Sequence, residues 1–129
     1  MTLESIDRVA GGSGRVRADG GELSIDGVFD LLSNRRRRVI LYFLADWEDA
    51  VGRDELARKV ASLETNDDIG EVPTEDFTRV LISLDHIHLP RLVDDGVVEY
   101  DRDEGVVVPT DAIARLRPYL DLARSEEDV

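Results

Sequence analysis

The chain has 129 residues, no cysteine and a formal net charge of −13, from 29 acidic and 16 basic residues. Its length fits one compact domain with tails, and the lack of cysteine excludes disulfides and thiolate metal sites. The longest apolar run, VILYFLA at residues 39–45, is too short to span a membrane, and the first residues lack the pattern of a secretion signal. We therefore expect a cytoplasmic protein without a membrane partner.

The surplus of acidic residues has two explanations. Such a charge repels DNA and RNA in dilute salt. However, Lys59 is the only lysine, and the other 15 basic residues are arginine. Acidic, lysine-poor surfaces also suit proteins that work in molar salt, where a Debye length of about 3 Å leaves little repulsion. We favour the second explanation, the cytoplasm of a halophile.

The N-terminal part is predicted to hold a tail and two helices. Residues 1–23 are rich in glycine, serine and charge, which favours a flexible tail. Ser24 is a suitable N-cap for a short helix, and Asn34 for the helix that follows it. Apolar residues at helical spacing predict the inward faces. They are Ile25, Val28, Phe29 and Leu32 in the first helix, and Ile40, Phe43, Leu44 and Trp47 in the second.

Two more helices are predicted in the middle of the chain. One spans about residues 54–63, and a polar loop at residues 64–73 separates it from a long helix that Thr74 caps. Pro90 should kink this long helix or start a fresh turn, and Gly96 should end it in a left-handed cap. The inward residues are Leu56, Val60 and Leu63, then Phe77, Val80, Leu81, Leu84 and either Ile87 or His88.

The C-terminal part has the pattern of a hairpin followed by a last helix. At residues 97–109 the β-prone runs VVEY and VVVP flank the polar turn DRDEG. Thr110 is placed to cap the last helix, which has Ile113, Leu116, Leu120 and Ala123 along one side. This order predicts a mainly α fold with a small β-hairpin, the winged helix-turn-helix. We expect this domain at residues 24–110, and a C-terminal helix with a frayed acidic tail at residues 111–129.

Three segments carry a resemblance to known proteins. FDLLSNRRRRVILYFL resembles the first core helix of archaeal winged helix proteins, including ArsR-like repressors, and VGRDELARKVASLE resembles their second helix. FTRVLISLDHIHLPRLVDDGVVEYD is similar to a recognition helix that runs into the wing. Over residues 28–109 the chain closely resembles small haloarchaeal winged helix proteins. The resemblance implies a transcription regulator that binds double-stranded DNA without a cofactor.

Candidate DNA contacts lie on the predicted recognition helix and wing. Arg79 has the donors to bind a guanine edge, while hydroxyl and imidazole groups suit bases or phosphates. A wing arginine can enter the minor groove. The alternative is a solvated or partner-facing surface, because acidic residues such as Asp76 and Asp85 face the same way. The candidates are Thr78, Arg79, Ser83, His86, Arg91 and Arg102.

Four consecutive arginines, Arg35 to Arg38, open the second helix. At 3.6 residues per turn they span about 300° of the helix, so at most two can point the same way. One interpretation is a set of ion pairs with nearby acids, whose apolar stems cover the surface. The other gives Arg35 and Arg36 one or two phosphate contacts. The acids considered are Asp30, Asp46, Glu48 and Asp49.

No pattern of catalysis or metal binding stands out. The glycine-rich segment AGGSG does not join a strand to a helix, so it is not a phosphate loop. His86 and His88 are two residues apart and point about 200° away from each other on a helix, which does not suit a shared metal. We expect no enzyme activity, no cofactor, no metal and no assigned small-molecule ligand.

The predicted function is DNA binding as a transcription regulator, and two points remain open. A winged helix can also serve as a protein-interaction module that has lost DNA contacts. The apolar side of the last helix either pairs two protomers in a homodimer or packs on its own domain. A ligand sensor with a pocket between dimer helices is a weaker third hypothesis.

Overall fold

The computed structural model describes residues 23–47 and 49–129, which form six α-helices and a three-stranded antiparallel sheet. Of the predicted tail, residues 1–22 lie outside the described residues, while Leu23 is buried in the core. The helices are α1 (Ile25–Leu31), α2 (Arg35–Trp47), α3 (Arg53–Thr65), α4 (Thr74–Ser83), α5 (Leu89–Asp94) and α6 (Ala112–Glu127). The strands are β1 (Val51–Gly52), β2 (Val98–Asp101) and β3 (Val106–Pro109).

The sheet has the order β1-β3-β2. It pairs the strand between α2 and α3 with the hairpin that follows α5. Val107 in β3 pairs with Val51 on one side and with Tyr100 on the other. The short extended strand that the sequence predicts at residues 50–52 is therefore β1, and it pairs with the hairpin as the third strand. The mainly α fold with a small hairpin is confirmed, and the order α2, β1, α3, α4, β2, β3 is that of a winged helix.

Several predicted caps are confirmed. The side-chain oxygens of Ser24 and Asn34 each accept a hydrogen bond of 3.0 Å, from the backbone N–H groups of Gly27 and Arg37. Gly96 follows α5 with a φ of 77°, a conformation that glycine adopts at little cost. Each of these three caps depends only on residues that are close to it in the sequence.

Two predicted caps are displaced. Thr74 is the first residue of α4, and Pro73 is its N-cap. α6 begins at Ala112, two residues after Thr110. The Thr110 hydroxyl still accepts from the Ala112 N–H at 3.2 Å, and it donates to the Gly96 carbonyl at 2.7 Å. Thr110 thus ties the start of α6 to the end of α5.

The kink predicted at Pro90 is a π-helical turn over Leu84–His88. Here the N–H of Leu89 bonds to the carbonyl of Leu84, five residues earlier. Proline lacks an N–H, and its ring clashes with the carbonyl four residues before it in an α-helix. The wider turn makes room for that ring and carries the chain from α4 into α5 without a break.

The core corrects some predicted inward faces. In α1 the buried residues are Val28 and Leu31, whereas Ile25 and Phe29 are 48% and 57% exposed. Between the two alternatives in the π turn, His88 is buried. The other predicted inward residues are buried or lie partly buried against the core.

α6 packs against its own domain. Ile113, Leu116 and Leu120 are buried, and the helix lies along α2. It runs to Glu127, so the segment predicted as a frayed tail is helical. Among the residues that the structure describes, no helix combines the length and apolar character needed to cross a membrane.

Candidate nucleic-acid interface

The exposed face of α4 carries three of the predicted contacts. Thr78, Arg79 and His86 are all exposed, His86 in the π turn that extends the helix. The Arg79 side chain is 65% exposed and makes a single ion pair of 3.2 Å with Asp76, three residues earlier. An exposed pair of this kind contributes little energy, so Arg79 is free to exchange partners.

The wing is the hairpin of β2 and β3, and the recognition element is α4 together with the π turn that follows it. The arginine of the wing contacts the recognition element. Arg102 is 59% exposed, and its Nη1 donates to Oδ2 of Asp85 at 3.2 Å. Its guanidinium also lies over the ring of Tyr100, 5.5 Å from the centroid. The structure therefore brings the wing and the end of the recognition helix together through Asp85.

Asp85 is the centre of a polar cluster with Tyr100, Arg53 and Arg102, called here the Asp85 cluster. The hydroxyl of Tyr100 donates to Oδ1 of Asp85 at 2.7 Å and accepts from Nη1 of Arg53 at 3.0 Å. The Tyr100 hydrogen bond and the two guanidinium charges lower the pKa of Asp85, although partial burial opposes them. Burial raises the pKa of Tyr100. Sequence reasoning missed this cluster, because its four members come from four separate segments: the start of α3, the π turn, β2 and the turn of the wing.

Arg36 and Ser83, both predicted as DNA contacts, bind each other inside the fold. Nη1 of Arg36 donates to Oγ of Ser83 at 3.1 Å, and Nε and Nη2 donate to the two carboxylate oxygens of Glu64, both at 2.6 Å. The hydrogen bond with Glu64 raises the pKa of Arg36. This two-pronged pair joins α2, α3 and α4, so it supports the domain rather than presenting a cation to DNA.

The rest of the arginine run also points inward or along the surface. Arg37 is buried and donates to the carbonyls of Asp30 and Leu31, at the C-terminal end of α1. The last carbonyls of a helix carry its negative dipole end, so a cation suits them. Arg38 donates to the Leu32 carbonyl at 2.6 Å.

Arg35 and Arg38 meet a carboxylate far along the chain. Nε and Nη2 of Arg38 donate to the two carboxylate oxygens of Glu127 at 2.9 and 2.7 Å, and Arg35 lies 3.5 Å from the same group. The ion-pair interpretation of the run is thus supported, and the partners found among the described residues are Glu64 and Glu127, which were not among the four acids considered. Of those four, Glu48 lies outside the described residues.

Arg91 is likewise engaged within the domain. It forms ion pairs with Asp30 of α1 and, at 3.4 Å, with the buried Asp95. Its side chain is only 21% exposed. Arg91, one of the predicted DNA contacts, therefore already has two carboxylate partners within the domain.

The recognition face and wing are acidic on balance. Arg79 and Arg102 are the exposed cations of α4 and the wing, and each is beside at least one carboxylate. Phosphates can approach such a face closely only where salt or bound cations screen it. Within residues 23–47 and 49–129 no three side chains are grouped to hold a metal ion. The acids of α4, the π turn and the wing are Glu75, Asp76, Asp85, Glu99, Asp101, Asp103 and Glu104.

Comparison with known proteins reaches the family level. No curated protein and no solved structure matches the chain. A family of domains does match residues 29–108, from the last turns of α1 to β3. The matched segment covers more than half of the chain and includes the recognition helix, the wing and every member of the Asp85 cluster. The chain belongs to the DUF7344 family, whose description is a domain of unknown function.

Proposed function

We propose that this protein is a DNA-binding transcription regulator that reads double-stranded DNA with α4 and the wing. The observation that carries the proposal is the placement of Arg79, the most exposed ion-paired arginine of the domain, on the outer face of the recognition helix. A helix in the major groove reads guanine through arginine, which donates two parallel hydrogen bonds. Arg102 then reaches the minor groove or its phosphates from the wing.

The two kinds of arginine in this domain support the assignment. Arg36 and Arg38 each hold both oxygens of a carboxylate, an arrangement that fixes a side chain. Arg79 holds one oxygen at an exposed site, where the pair is worth about 0.2–1 kcal/mol. DNA displaces such a partner cheaply, so Arg79 is available for recognition.

The acidic composition fits a halophilic archaeal cytoplasm, the setting that the haloarchaeal resemblance implies. In molar potassium the Debye length falls to about 3 Å, which removes most repulsion between the acidic wing and phosphates. Short-range hydrogen bonds from Arg79 and Arg102 persist at that salt concentration. Binding then depends on contacts rather than on net charge.

The direct test is selection from a pool of genomic DNA fragments in about 2 M KCl, where screening is nearly complete. The retained fragments are sequenced, and circular dichroism in the same buffer establishes that the protein is folded. An enriched motif supports the proposal. Recovery of the pool without enrichment contradicts it.

Arg79→Ala is expected to weaken binding to the enriched motif by about 1–3 kcal/mol, because one base-reading arginine is lost. Fluorescence anisotropy with a labelled duplex measures the change. Arg115→Ala is the matched control, since it removes the same charge from the exposed surface of α6. Equal affinities of the Arg79 variant and the control would exclude Arg79 from the interface.

The partner state that we propose is a homodimer formed through one apolar face. Phe29 of α1 and Tyr119 of α6 contact each other edge to face, with 5.9 Å between ring centroids. Ile25 extends this face along α1, and Leu122, 64% exposed, extends it along α6. These four residues define the α1–α6 patch. Such contiguous exposed apolar surface is typical of protein contacts.

Leu122→Glu is expected to convert the dimer to a monomer, because it places a charge within the apolar α1–α6 patch. Light scattering in high salt measures the mass. Ile69→Glu is the matched control, since Ile69 is also exposed but lies in the turn between α3 and α4. A dimer that persists in the Leu122 variant, or a monomeric wild type, would refute the assignment. Deleting α6 is a poor test, because its buried side belongs to the domain core.

Protein interaction without DNA binding is the second candidate. Ile82 and Ile87 are 54% and 57% exposed on the recognition element, where a DNA reader needs polar side chains. An apolar pair framed by acids suits a protein surface. Selection without enrichment, combined with a folded protein, would favour this module.

A further inference from the structure

The Asp85 cluster has the composition of an oxyanion site. Two guanidinium groups and a phenol converge on the carboxylate of Asp85, and Nε of Arg53 also donates to Oδ1 of Asp54 at 3.2 Å. Tyr100 donates to Oδ1 at 2.7 Å, Arg102 donates to Oδ2 at 3.2 Å, and Nη1 of Arg53 lies 4.0 Å from Oδ1. Arginine and tyrosine donors around a single oxyanion are also the set that proteins use for phosphate.

The donors are held in place by backbone structure. Arg53 is the first residue of α3, and its N–H donates to the carbonyl of Gly105 at 2.8 Å, in the turn of the wing. Gly105 has a φ of 67°, which favours glycine at this point of the turn. Tyr100 lies in β2, paired with Val107 of the central strand. The donors therefore come from the start of α3 (Arg53), from β2 (Tyr100) and from the turn of the wing (Arg102).

The site opens toward solvent on the side of the wing. Arg102 is 59% exposed, whereas the side chains of Asp85 and Arg53 are 22% and 27% exposed. An incoming anion meets Arg102 first, with Tyr100 and Arg53 behind it. The carboxylate of Asp85 occupies the position that such an anion would take.

We propose that Arg53, Tyr100 and Arg102 form an oxyanion-binding cradle for a phosphodiester group of the DNA backbone, and that Asp85 fills the cradle in the free protein. The phosphodiester assignment rests on the proposed function; the cradle itself is a property of the side chains. Asp85 acts as an internal phosphate mimic. A backbone phosphate must displace it, so binding that does not engage the whole face is suppressed.

Asp85→Asn is the variant that separates the contact of Asp85 with Tyr100 from its contact with Arg102. The amide keeps the shape of the side chain and still accepts from Tyr100, but it has no charge to hold Arg102. The amide is then held in the cradle only by a neutral hydrogen bond, so a free oxyanion displaces it more easily than it displaces the carboxylate. Asp76→Asn is the matched control, because it removes one charge from the same recognition element and releases Arg79 instead.

The experiment titrates inorganic phosphate into wild type, Asp85→Asn and Asp76→Asn at the lowest KCl concentration that keeps each protein folded. NMR signals of the arginine Nε–Hε groups report binding at Arg53 and Arg102. We expect phosphate to bind Asp85→Asn about tenfold more tightly than the other two proteins, since a charge-assisted contact is gained. Adding Arg102→Gln to Asp85→Asn should abolish that gain.

The outcomes separate the cradle from DNA binding, which is measured on the same proteins with the enriched duplex. Equal phosphate affinities in the three folded proteins overturn the cradle, whether or not the wild type binds DNA. A gain that is specific to Asp85→Asn and lost with Arg102→Gln supports it. If that gain occurs without duplex binding by any variant, the cradle stands and its occupant is not DNA. If Asp85→Asn does not fold, Asp85→Ser repeats the test.

Discussion

Glu127→Gln is expected to lower the free energy of unfolding by about 2–3 kcal/mol at pH 7, because it breaks a half-buried charge pair from one side. The carboxylate accepts from Arg38 through both oxygens and also from the hydroxyl of Tyr42. The side chains of Arg38 and Glu127 are only 20% and 17% exposed. The amide leaves a guanidinium without its counter-charge, and the end of α6 loses its attachment to α2.

The contact between Glu127 and Arg38 also makes the stability of the protein depend on pH in the acidic range. The Arg38 hydrogen bonds, assisted by Tyr42 and the charge of Arg35, lower the pKa of Glu127 from 4.5 to about 2. The unfolded chain takes up this proton at a higher pH than the folded protein. The stabilisation is therefore complete above pH 4.5 and is lost as the pH falls toward 2. In Glu127→Gln this part of the pH dependence should be missing.

Urea denaturation followed by circular dichroism measures the change at a fixed KCl concentration. Glu126→Gln is the matched control, since the neighbouring carboxylate is exposed and should change the stability by less than about 0.5 kcal/mol. The same midpoint for wild type and Glu127→Gln would show that the end of α6 does not support the domain.

Between pH 6.5 and pH 4 the free energy of unfolding of the wild type is expected to fall by about 3 kcal/mol. We expect this decrease to be absent in His88→Leu. Burial, aided by the charges of Arg37 and Arg36 and opposed by Glu64, lowers the pKa of His88 from 6.5 to about 4. The unfolded chain binds the proton first as the pH falls. The folded protein thus has its full stability above pH 6.5 and loses it progressively down to pH 4.

The side chain of His88 explains why leucine is a suitable replacement. Its Nδ1 is buried without a hydrogen-bond partner among the described residues, so leucine removes no hydrogen bond at that atom. The free energy of unfolding is measured with urea at several pH values between 4 and 7. His86→Leu is the control, because His86 is exposed two residues away. A pH profile of His88→Leu that matches the wild type would contradict the buried-neutral state.

The local elements of the fold could be predicted from the sequence. The Ser24 and Asn34 caps, the left-handed Gly96 and the hairpin around DRDEG all appear where the pattern placed them. Each depends on neighbours within a few residues. A side-chain oxygen three residues before an N–H, or a glycine after a helix, satisfies its partner without help from the rest of the chain.

Faces of short helices could not be predicted as well. In α1 the pattern Ile25, Val28, Phe29 offered one apolar stripe, but only Val28 of these is buried. α1 has seven residues, so two overlapping stripes fit it equally well. The contact with the core decided between them, through Leu31 and through Arg37 at the carbonyl end of the helix.

The candidate site, too, could be predicted from the sequence only in part. The sequence alone identified Arg79, Thr78 and His86 as exposed on the recognition helix, because helical periodicity is a local property. It also indicated that four consecutive arginines cannot share one face. It did not indicate which arginines remain available to a ligand.

By itself, then, the sequence determined the order of helices and strands, the winged helix layout and the inward faces of the longer helices. Only the tertiary structure decided which charged side chains form pairs. Arg36 meets Glu64, 28 residues away, Arg38 meets Glu127, 89 residues away, and Arg102 meets Asp85 across the wing. Hydrophobic periodicity acts over a few residues, whereas a charge pairs with whatever carboxylate the fold brings within about 4 Å.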